Sequence, residues 1–143
     1  METRILKKIV SHTPYQSSRV LVALRILLGI MMVYHGWEIF DKPMMDEYGK
    51  WMVDLRFPFP ATIAYLGKGS ELLGGLLLVI GLFTRMASLI LIITMSIVTF
   101  GIGNGRILME DQHPFMFVVL GVLFLFLGAG DFSFDKRFFN NNA

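Results

Sequence analysis

The sequence predicts an all-α protein, a bundle of four transmembrane helices with a short amphipathic interfacial helix between the first and second spans. Three observations lead to this prediction. Hydrophobic residues make up 55% of the 143 residues and charged residues only 17%, which is more apolar surface than a soluble domain of this size buries. The charged residues cluster between long apolar runs. Four of these runs approach the roughly 20 residues that cross a hydrocarbon core of about 30 Å.

The four apolar runs cover residues 20–40, 61–83, 86–103 and 114–130. The third and fourth are short, so we expect them to stand nearly upright or to extend into their polar flanks. No connection is long enough for a second domain, so residues 1–143 are predicted to form a single integral membrane domain. The first run exceeds the ~7–15 apolar residues of a signal peptide and no cleavage site follows it, so we expect it to be retained.

The connection between the first two spans predicts a helix over residues 43–56. Apolar and aromatic residues recur there at helical spacing, with charged residues between them. Pro43 suits the first turn of a helix, and Pro58 and Pro60 close the segment before the second span. Because Trp and Tyr favour the headgroup zone, we expect this helix to lie at the outer interface, either as a lid or as a docking surface for a partner.

The basic residues that flank the spans predict that both termini are cytoplasmic. The side that carries the termini has Arg4, Lys7, Lys8, Arg19, Arg85, Lys136 and Arg137. The opposite side has Lys42, Lys50, Arg56 and Arg106, mixed with several acidic residues.

Several kinds of chemistry lack the residues they need. The chain has no cysteine, which excludes disulfides, thiol nucleophiles and thiolate metal sites. A net charge of +2 without a basic stripe gives no indication of nucleic-acid binding. No Ser-His-Asp arrangement, phosphate-binding loop or dinucleotide fingerprint is present. We therefore expect no catalytic activity from the chain on its own, assign no catalytic residue, and expect no cofactor beyond contact with a quinone.

Each span also carries a stripe of small and polar residues, the kind of surface through which membrane helices pack. The stripes are Arg25, Gly29, Met32 and Gly36; Gly67, Glu71 and Gly75; Ser88, Met95, Thr99 and Gly103; and Phe117, Gly121, Phe124 and Gly128. They predict a compact up-down-up-down bundle.

Five ionisable residues fall inside the apolar runs, where each costs several kcal/mol unless it is paired, hydrated or near a helix end. At ~1.5 Å per residue, His35 and Glu38 lie about 22 and 27 Å above the inner end of the first span. Glu71 and Lys68 lie about 20 and 24 Å above the inner end of the second span. These four residues are therefore predicted to converge in the outer half of the membrane. Arg25 lies only about 8 Å from the inner end.

Three interpretations of the His35, Glu38, Lys68 and Glu71 cluster stay open. It is a structural ion-pair network, a pocket for a polar headgroup or a quinone, or a path for protons or a solute. Arg25 is expected to be a structural charge that snorkels to the cytoplasmic face or pairs with Asp131 or Asp135.

Two pairs, His35-x-x-Glu38 and Glu110-x-x-His113, have the spacing of a possible metal site. Di-iron bundles place a histidine and a carboxylate on one helix face in this way. Such a site also needs carboxylates from the other two helices, and the third span has none. The sequence therefore predicts no metal site.

The segment Glu71–Arg85, ELLGGLLLVIGLFTR, closely resembles the central signature of the DoxX family of small bacterial four-span membrane proteins. Three weaker matches keep the family's order, namely Arg25 to Gly36, Phe57 to Pro60 and Gly128 to Asp135. Ile39 stands where many members have a lysine, four residues after the histidine.

The resemblance implies an inner-membrane location in bacteria and an accessory or scaffold role in a membrane redox assembly linked to quinones. It also implies redox proteins of the membrane, or a second copy of the chain, as partners beside the lipid bilayer. The alternative from the ionisable residues themselves is a small proton-coupled transporter or permease that uses the His/Glu/Lys cluster. Fold alone does not decide between these functions.

Overall fold

The computed structural model describes residues 18–139, so the predicted inner-side residues Arg4, Lys7 and Lys8 lie outside the described part. The described residues form helices and connecting turns without a strand, which confirms the all-α prediction. The elements are α1 (Ser18–Gly36), a 3-10 turn (Trp37–Phe40), α2 (Lys42–Asp54), α3 (Pro60–Ile80), α4 (Thr84–Ile97), a π-helical turn (Val98–Ile102), α5 (Gln112–Leu127) and α6 (Phe134–Phe139).

Three helical segments of the described chain are long and apolar enough to cross a membrane, and the protein is therefore a multi-pass membrane protein. They are Arg19–Phe40, Pro60–Ile80 and Thr84–Ile102. The helix α5 is also apolar, but its 16 residues span only about 24 Å at ~1.5 Å per residue. That length is shorter than a hydrocarbon core of about 30 Å.

The helix ends follow local backbone chemistry. The sequence predicts a second span that runs to residue 83, whereas α3 ends at Ile80. Gly81 adopts the left-handed conformation with φ 69°. Its amide and that of Leu82 then turn back to the carbonyl groups of Leu78 and Leu77, at 3.2 and 3.0 Å. This is the glycine-terminated helix end that satisfies the last carbonyl groups.

The helices α1, α3, α4 and α5 contribute to one hydrophobic core. The helix α1 packs most extensively on α3, and α5 packs most extensively on α4, while α3 and α4 join the two pairs. The buried core residues are Leu28, Met32, Leu78, Ala87, Leu91, Met95, Phe117 and Phe124. Several belong to the predicted stripes, which therefore do face the interior.

Glycines let α1 and α3 approach closely. A Cβ atom placed on Gly29 would lie 2.8 Å from the Gly75 carbonyl oxygen, and one placed on Gly75 would lie 2.6 Å from the Val33 amide nitrogen. Both distances are too short for real Cβ contacts. The close seam holds α1 and α3 side by side and thereby positions the ionisable residues described below.

The helix α2 packs on the N-terminal end of α3. Its first turn is capped by the Asp41 side chain, which accepts a hydrogen bond from the Met44 amide at 3.2 Å. Met45 and Met52 are buried with Ala64 of α3 in a second, smaller core. The amphipathic pattern predicted over residues 43–56 is thus a packed helix over Lys42–Asp54.

Candidate functional site

The ammonium group of Lys68 is the centre of the polar cluster. It lies 2.8 Å from Glu38 Oε2 and 3.0 Å from Glu71 Oε2, and it donates to the His35 carbonyl oxygen at 3.4 Å. Lys68 and Glu71 are i,i+3 neighbours on one face of α3. Glu38 comes from the 3-10 turn that follows α1. The structure therefore brings together the charges of Glu38, Lys68 and Glu71, which are predicted to converge.

The side chain of His35 lies on another side of the same helix end. Its ring centroid is 5.2 Å from that of His113 and 5.7 Å from that of Phe117, both on α5. Only the backbone carbonyl of His35 contacts Lys68. The predicted four-residue cluster is thus a three-residue ionic cluster with a histidine pair beside it.

Tyr48 of α2 completes the ionic cluster. Its hydroxyl donates a hydrogen bond to Glu38 Oε2 at 2.5 Å, and Lys68 Nζ lies 4.8 Å from the centroid of its ring. This second contact is a cation–π interaction. Burial and the neighbouring Glu38 carboxylate raise the pKa of Tyr48, so its phenol remains a donor near neutral pH.

The ionic cluster is largely withdrawn from solvent. The side chains of Glu71, Lys68 and Glu38 are 3%, 14% and 23% exposed. Two carboxylates share one ammonium, so the ionic cluster carries one formal negative charge in excess when both carboxylates are ionised. An uncompensated charge is costly at such burial, and an added proton, or a ligand that donates a hydrogen bond, lowers that cost.

A cavity of about 310 Å³ lies between α2, α3 and the C-terminal end of α4. Its walls are mostly apolar and include Trp51, Met52, Ile63, Ala64 and Ile97. At one place the lining is polar, where Tyr48, Ser70, Thr94, Lys68 and Glu71 meet the cavity. An apolar enclosure of at least roughly 300 Å³ with a few convergent polar groups is the usual form of a small-ligand site.

Arg25 does not snorkel, which corrects that part of the prediction. The residue is only 1% exposed. Its guanidinium donates to the Ala129 carbonyl oxygen and, at 3.0 Å, to that of Phe132. The chain after α5 folds back toward α1 and the C-terminal end of α3 and supplies these acceptors.

Asp135 fastens the same segment to α4. Its carboxylate accepts hydrogen bonds from the amides of Phe83 and Thr84 at 2.6 and 2.9 Å, and its own amide donates to the Gly81 carbonyl oxygen at 2.9 Å. Asp135 is also close enough to Arg25 to attract its charge. Asp131 instead forms an exposed ion pair with Lys136 at 2.5 Å.

The arrangement considered for a metal is different in the structure. Glu110 precedes α5, which begins at Gln112, and forms an exposed ion pair with Arg106 at 3.5 Å. The pair Glu110 and His113 therefore does not share a helix face. Within residues 18–139, no three or more His, Cys, Asp or Glu side chains are grouped so that they can hold a metal ion.

Sequence reasoning missed two residues of this region, Tyr48 and His113. Tyr48 stands on the apolar face of α2. A tyrosine on an apolar face that packs near glutamates is a candidate hydrogen-bond donor to them, and this is the signal that can reveal Tyr48. For His113, the sequence suggests only a pairing with Glu110. Nothing in the sequence indicates that the ring of His113 meets that of His35, because this contact depends on how α5 is rotated.

The fold and the polar cluster define a multi-pass helical membrane protein with a polar site beside a mostly apolar cavity. The sequence profile of the DoxX family matches residues 20–104, which is more than half of the chain. The chain belongs to the DoxX family, as its resemblance predicts. The matched region contains the ionic cluster, the cavity lining and the close α1–α3 seam.

Two curated relatives are both uncharacterized proteins of Haemophilus influenzae. One is 28% identical over 123 residues, which cover 77% of this chain and 82% of the relative. The other is 29% identical over 127 residues, which cover 83% of this chain and 90% of the relative. No solved structure matches the chain.

Proposed function

We propose that this DoxX-family protein is an accessory subunit of a quinone-linked redox assembly in the bacterial inner membrane. Its cavity between α2, α3 and α4 holds a membrane-soluble quinone within that assembly. The observation that carries this proposal is the position of Lys68 and Glu71, which line a mostly apolar cavity of about 310 Å³. A ligand that reaches this cavity from the bilayer can keep its tail among apolar side chains and bring its ring to the polar wall.

The proposed subunit crosses the membrane four times. The helix α5 is the fourth span, since its polar flanks extend a helix of 16 residues toward the ~30 Å required. Both termini then face the cytoplasm, and α2 lies at the outer interface, where Trp51 and Tyr48 suit the headgroup zone.

Single cysteines test the four-span topology without background labelling, because the chain has no cysteine of its own. Leu108, in the turn between α4 and α5, is 86% exposed, and Arg137 follows α5 on the other side. A membrane-impermeant maleimide added to intact spheroplasts should label Leu108→Cys but not Arg137→Cys. Equal labelling of both positions would show that α5 does not cross.

The cavity proposal predicts a bound quinone in protein purified from bacterial membranes. Solvent extraction followed by chromatography should recover about one quinone per chain. The matched control is Gly67→Leu, which fills the cavity: a Cβ at Gly67 meets no atom within 4 Å, so the backbone has room for it. Equal quinone content in both proteins would place the quinone outside the cavity.

The accessory role predicts a redox partner. Affinity purification of the chain in mild detergent should recover a stoichiometric membrane oxidoreductase. Recovery of only the chain, as a monomer or a homodimer, contradicts an accessory role but leaves quinone binding intact.

A proton-coupled transporter is the second candidate, and the excess carboxylate of the ionic cluster favours it because that group can carry a proton. The core residues between the ionic cluster and the inner end count against it, since Leu28, Met32, Leu78, Leu91 and Phe124 are all buried and apolar. Reconstituted vesicles under a pH gradient test this candidate: proton flux that Glu71→Gln abolishes supports it, and absence of flux removes it.

A further inference from the structure

The hydroxyl and ammonium groups that line the cavity have already used their donor hydrogens. An ammonium has three N–H groups, and Lys68 meets three acceptors, on Glu38, Glu71 and His35. The phenol of Tyr48 donates to Glu38. These groups therefore have no hydrogen left for a ligand.

The two remaining hydroxyls of the lining are occupied in the same way. Ser70 donates to the Gly67 carbonyl oxygen at 2.7 Å, and Thr94 donates to the Ile90 carbonyl oxygen at 3.0 Å. Their oxygen atoms lie 3.1 Å apart, so two hydroxyl hydrogens already serve three short oxygen contacts. A ligand that offers only acceptor atoms, such as the carbonyl groups of a quinone, must break one of these bonds to accept a hydrogen bond from any of these four groups.

Glu71 differs from the hydroxyl groups because its carboxylate, when ionised, is charged and only accepts hydrogen bonds. Its Oε2 pairs with Lys68, whereas its Oε1 has no hydrogen-bond or ion-pair partner among the described residues. In the same part of the chain, the fully buried polar side-chain atoms without a partner are Arg25 Nε and Thr84 Oγ1. Oε1 of Glu71 is not among them, so it retains some accessible surface, and Glu71 lines the cavity.

We propose that the cavity selects an amphiphile whose polar head donates a hydrogen bond to Glu71, and that in the membrane quinone pool it binds the hydroquinone in preference to the quinone. This inference rests on the proposed quinone-linked function and adds the redox state of the ligand. The excess negative charge of the ionic cluster points the same way, since it attracts O–H and N–H donors and repels anionic heads.

The rest of the lining suits the body of such a ligand. The apolar walls from Trp51, Met52, Ile63, Ala64 and Ile97 contact an aromatic ring or the start of a hydrocarbon tail without a polar partner. The tail then leaves the cavity between helices into the surrounding lipid. The polar head alone distinguishes hydroquinone from quinone, because the two share the ring skeleton and the tail.

Three ligands with one decyl tail test this proposal on the purified full chain in detergent: a hydroquinone kept reduced under argon, its quinone, and its dimethyl ether. Isothermal titration calorimetry, corrected for partition into micelles, should show roughly tenfold tighter binding of the hydroquinone, as expected for a hydrogen bond to a charged acceptor. Equal binding of all three, or tighter binding of the quinone, overturns the donor preference but leaves a quinone-linked function standing. Binding of none overturns both proposals.

Variants separate the acceptor from the cavity. Glu71→Met removes the acceptor while Lys68 keeps its partner Glu38, so the hydroquinone should bind no more tightly than the dimethyl ether, which itself should still bind. Gly67→Leu should abolish binding of all three ligands. Lys42→Met changes an exposed side chain outside the cavity lining and should leave the binding of all three ligands unchanged. A preference that survives Glu71→Met contradicts the assignment to Glu71.

Discussion

The ammonium of Lys68 in α3 lies 2.8 Å from the carboxylate of Glu38, in the 3-10 turn after α1. This contact joins the C-terminal end of α1 to α3, two helices whose glycines let their backbones lie close together. Because Lys68 also serves Glu71, one cation compensates carboxylates from two helices. The following predictions start from this dependence on a single residue.

Replacing Lys68 by methionine should destabilise the protein by about 3–5 kcal/mol, because it leaves buried carboxylates without a counter-charge. The double variant Lys68→Met/Glu71→Gln should recover part of the loss. The control is Lys42→Met, which breaks an exposed pair with Asp46 at 3.5 Å and should change stability by less than about 1 kcal/mol. Unfolding in mixed detergent micelles measures the stability of all three variants. Equal losses of stability at Lys68 and Lys42 would contradict the prediction.

Tyr48→Phe should loosen α2 from α3 by about 1.5–3 kcal/mol, the usual contribution of a hydrogen bond to a charged group. The apolar contacts of Met45 and Met52 are unchanged by this substitution. The rate at which a protease cleaves within α2 reports the loosening. No increase over the wild-type rate would show that the hydroxyl contributes nothing to docking.

The same contact predicts a pH dependence. Since burial and Glu38 raise the pKa of Tyr48 in the folded protein, the phenol holds its proton more tightly there than in the unfolded chain. Its contribution to stability is therefore complete below about pH 10 and is lost as the pH rises above that value. Cleavage within α2 should accelerate above about pH 10 in the wild type by a factor that Tyr48→Phe lacks. A parallel rise in both proteins would assign the effect to another group.

Gly75→Ala should destabilise the protein by about 1–3 kcal/mol, as overpacking of a close contact does. The new Cβ would lie 2.6 Å from a backbone nitrogen of α1, and backbone cannot move aside as a flexible side chain can. The matched control on the same helix is Gly67→Ala, whose Cβ meets nothing within 4 Å. Thermal unfolding should separate the two variants; a similar midpoint for both would mean that α1 and α3 are further apart.

Asp135→Asn should release the segment after α5 from the N-terminal end of α4. An amide side chain retains one acceptor oxygen, so it cannot accept from both Phe83 and Thr84 as the carboxylate does. We expect a loss of about 1 kcal/mol, typical of a helix cap, and faster proteolysis after residue 127. Lys136→Gln, which disturbs only an exposed ion pair, is the control and should be cleaved at the wild-type rate.

The sequence predicts the convergence of Glu38, Lys68 and Glu71 because it depends on few quantities. The rise per residue of a helix is constant, and two sequential antiparallel spans are usually neighbours. The end of α3 at Gly81 is similarly local, since glycine takes the left-handed conformation that closes a helix. These features follow from spacing and residue type alone.

Other features depend on packing between distant parts of the chain. The position of Tyr48 against Glu38 requires α2 to fold back on α3, and the meeting of His35 with His113 requires one rotation of α5. The burial of Arg25 was not predicted, because its acceptors lie on a glycine-containing segment whose path over the bundle leaves no periodic pattern. Helical spacing contains no information about any of these contacts.

The order in which the chain is synthesised gives the Arg25 contact a consequence for assembly. Arg25 lies in α1, but its acceptors on Ala129 and Phe132 follow it by 104 and 107 residues. Until those residues leave the ribosome, a guanidinium within an apolar helix lacks its final partners. A chain that stops before residue 129 never gains these acceptors, so its guanidinium stays without them. We expect membrane quality-control proteases to recognise such truncated chains by this unsatisfied charge.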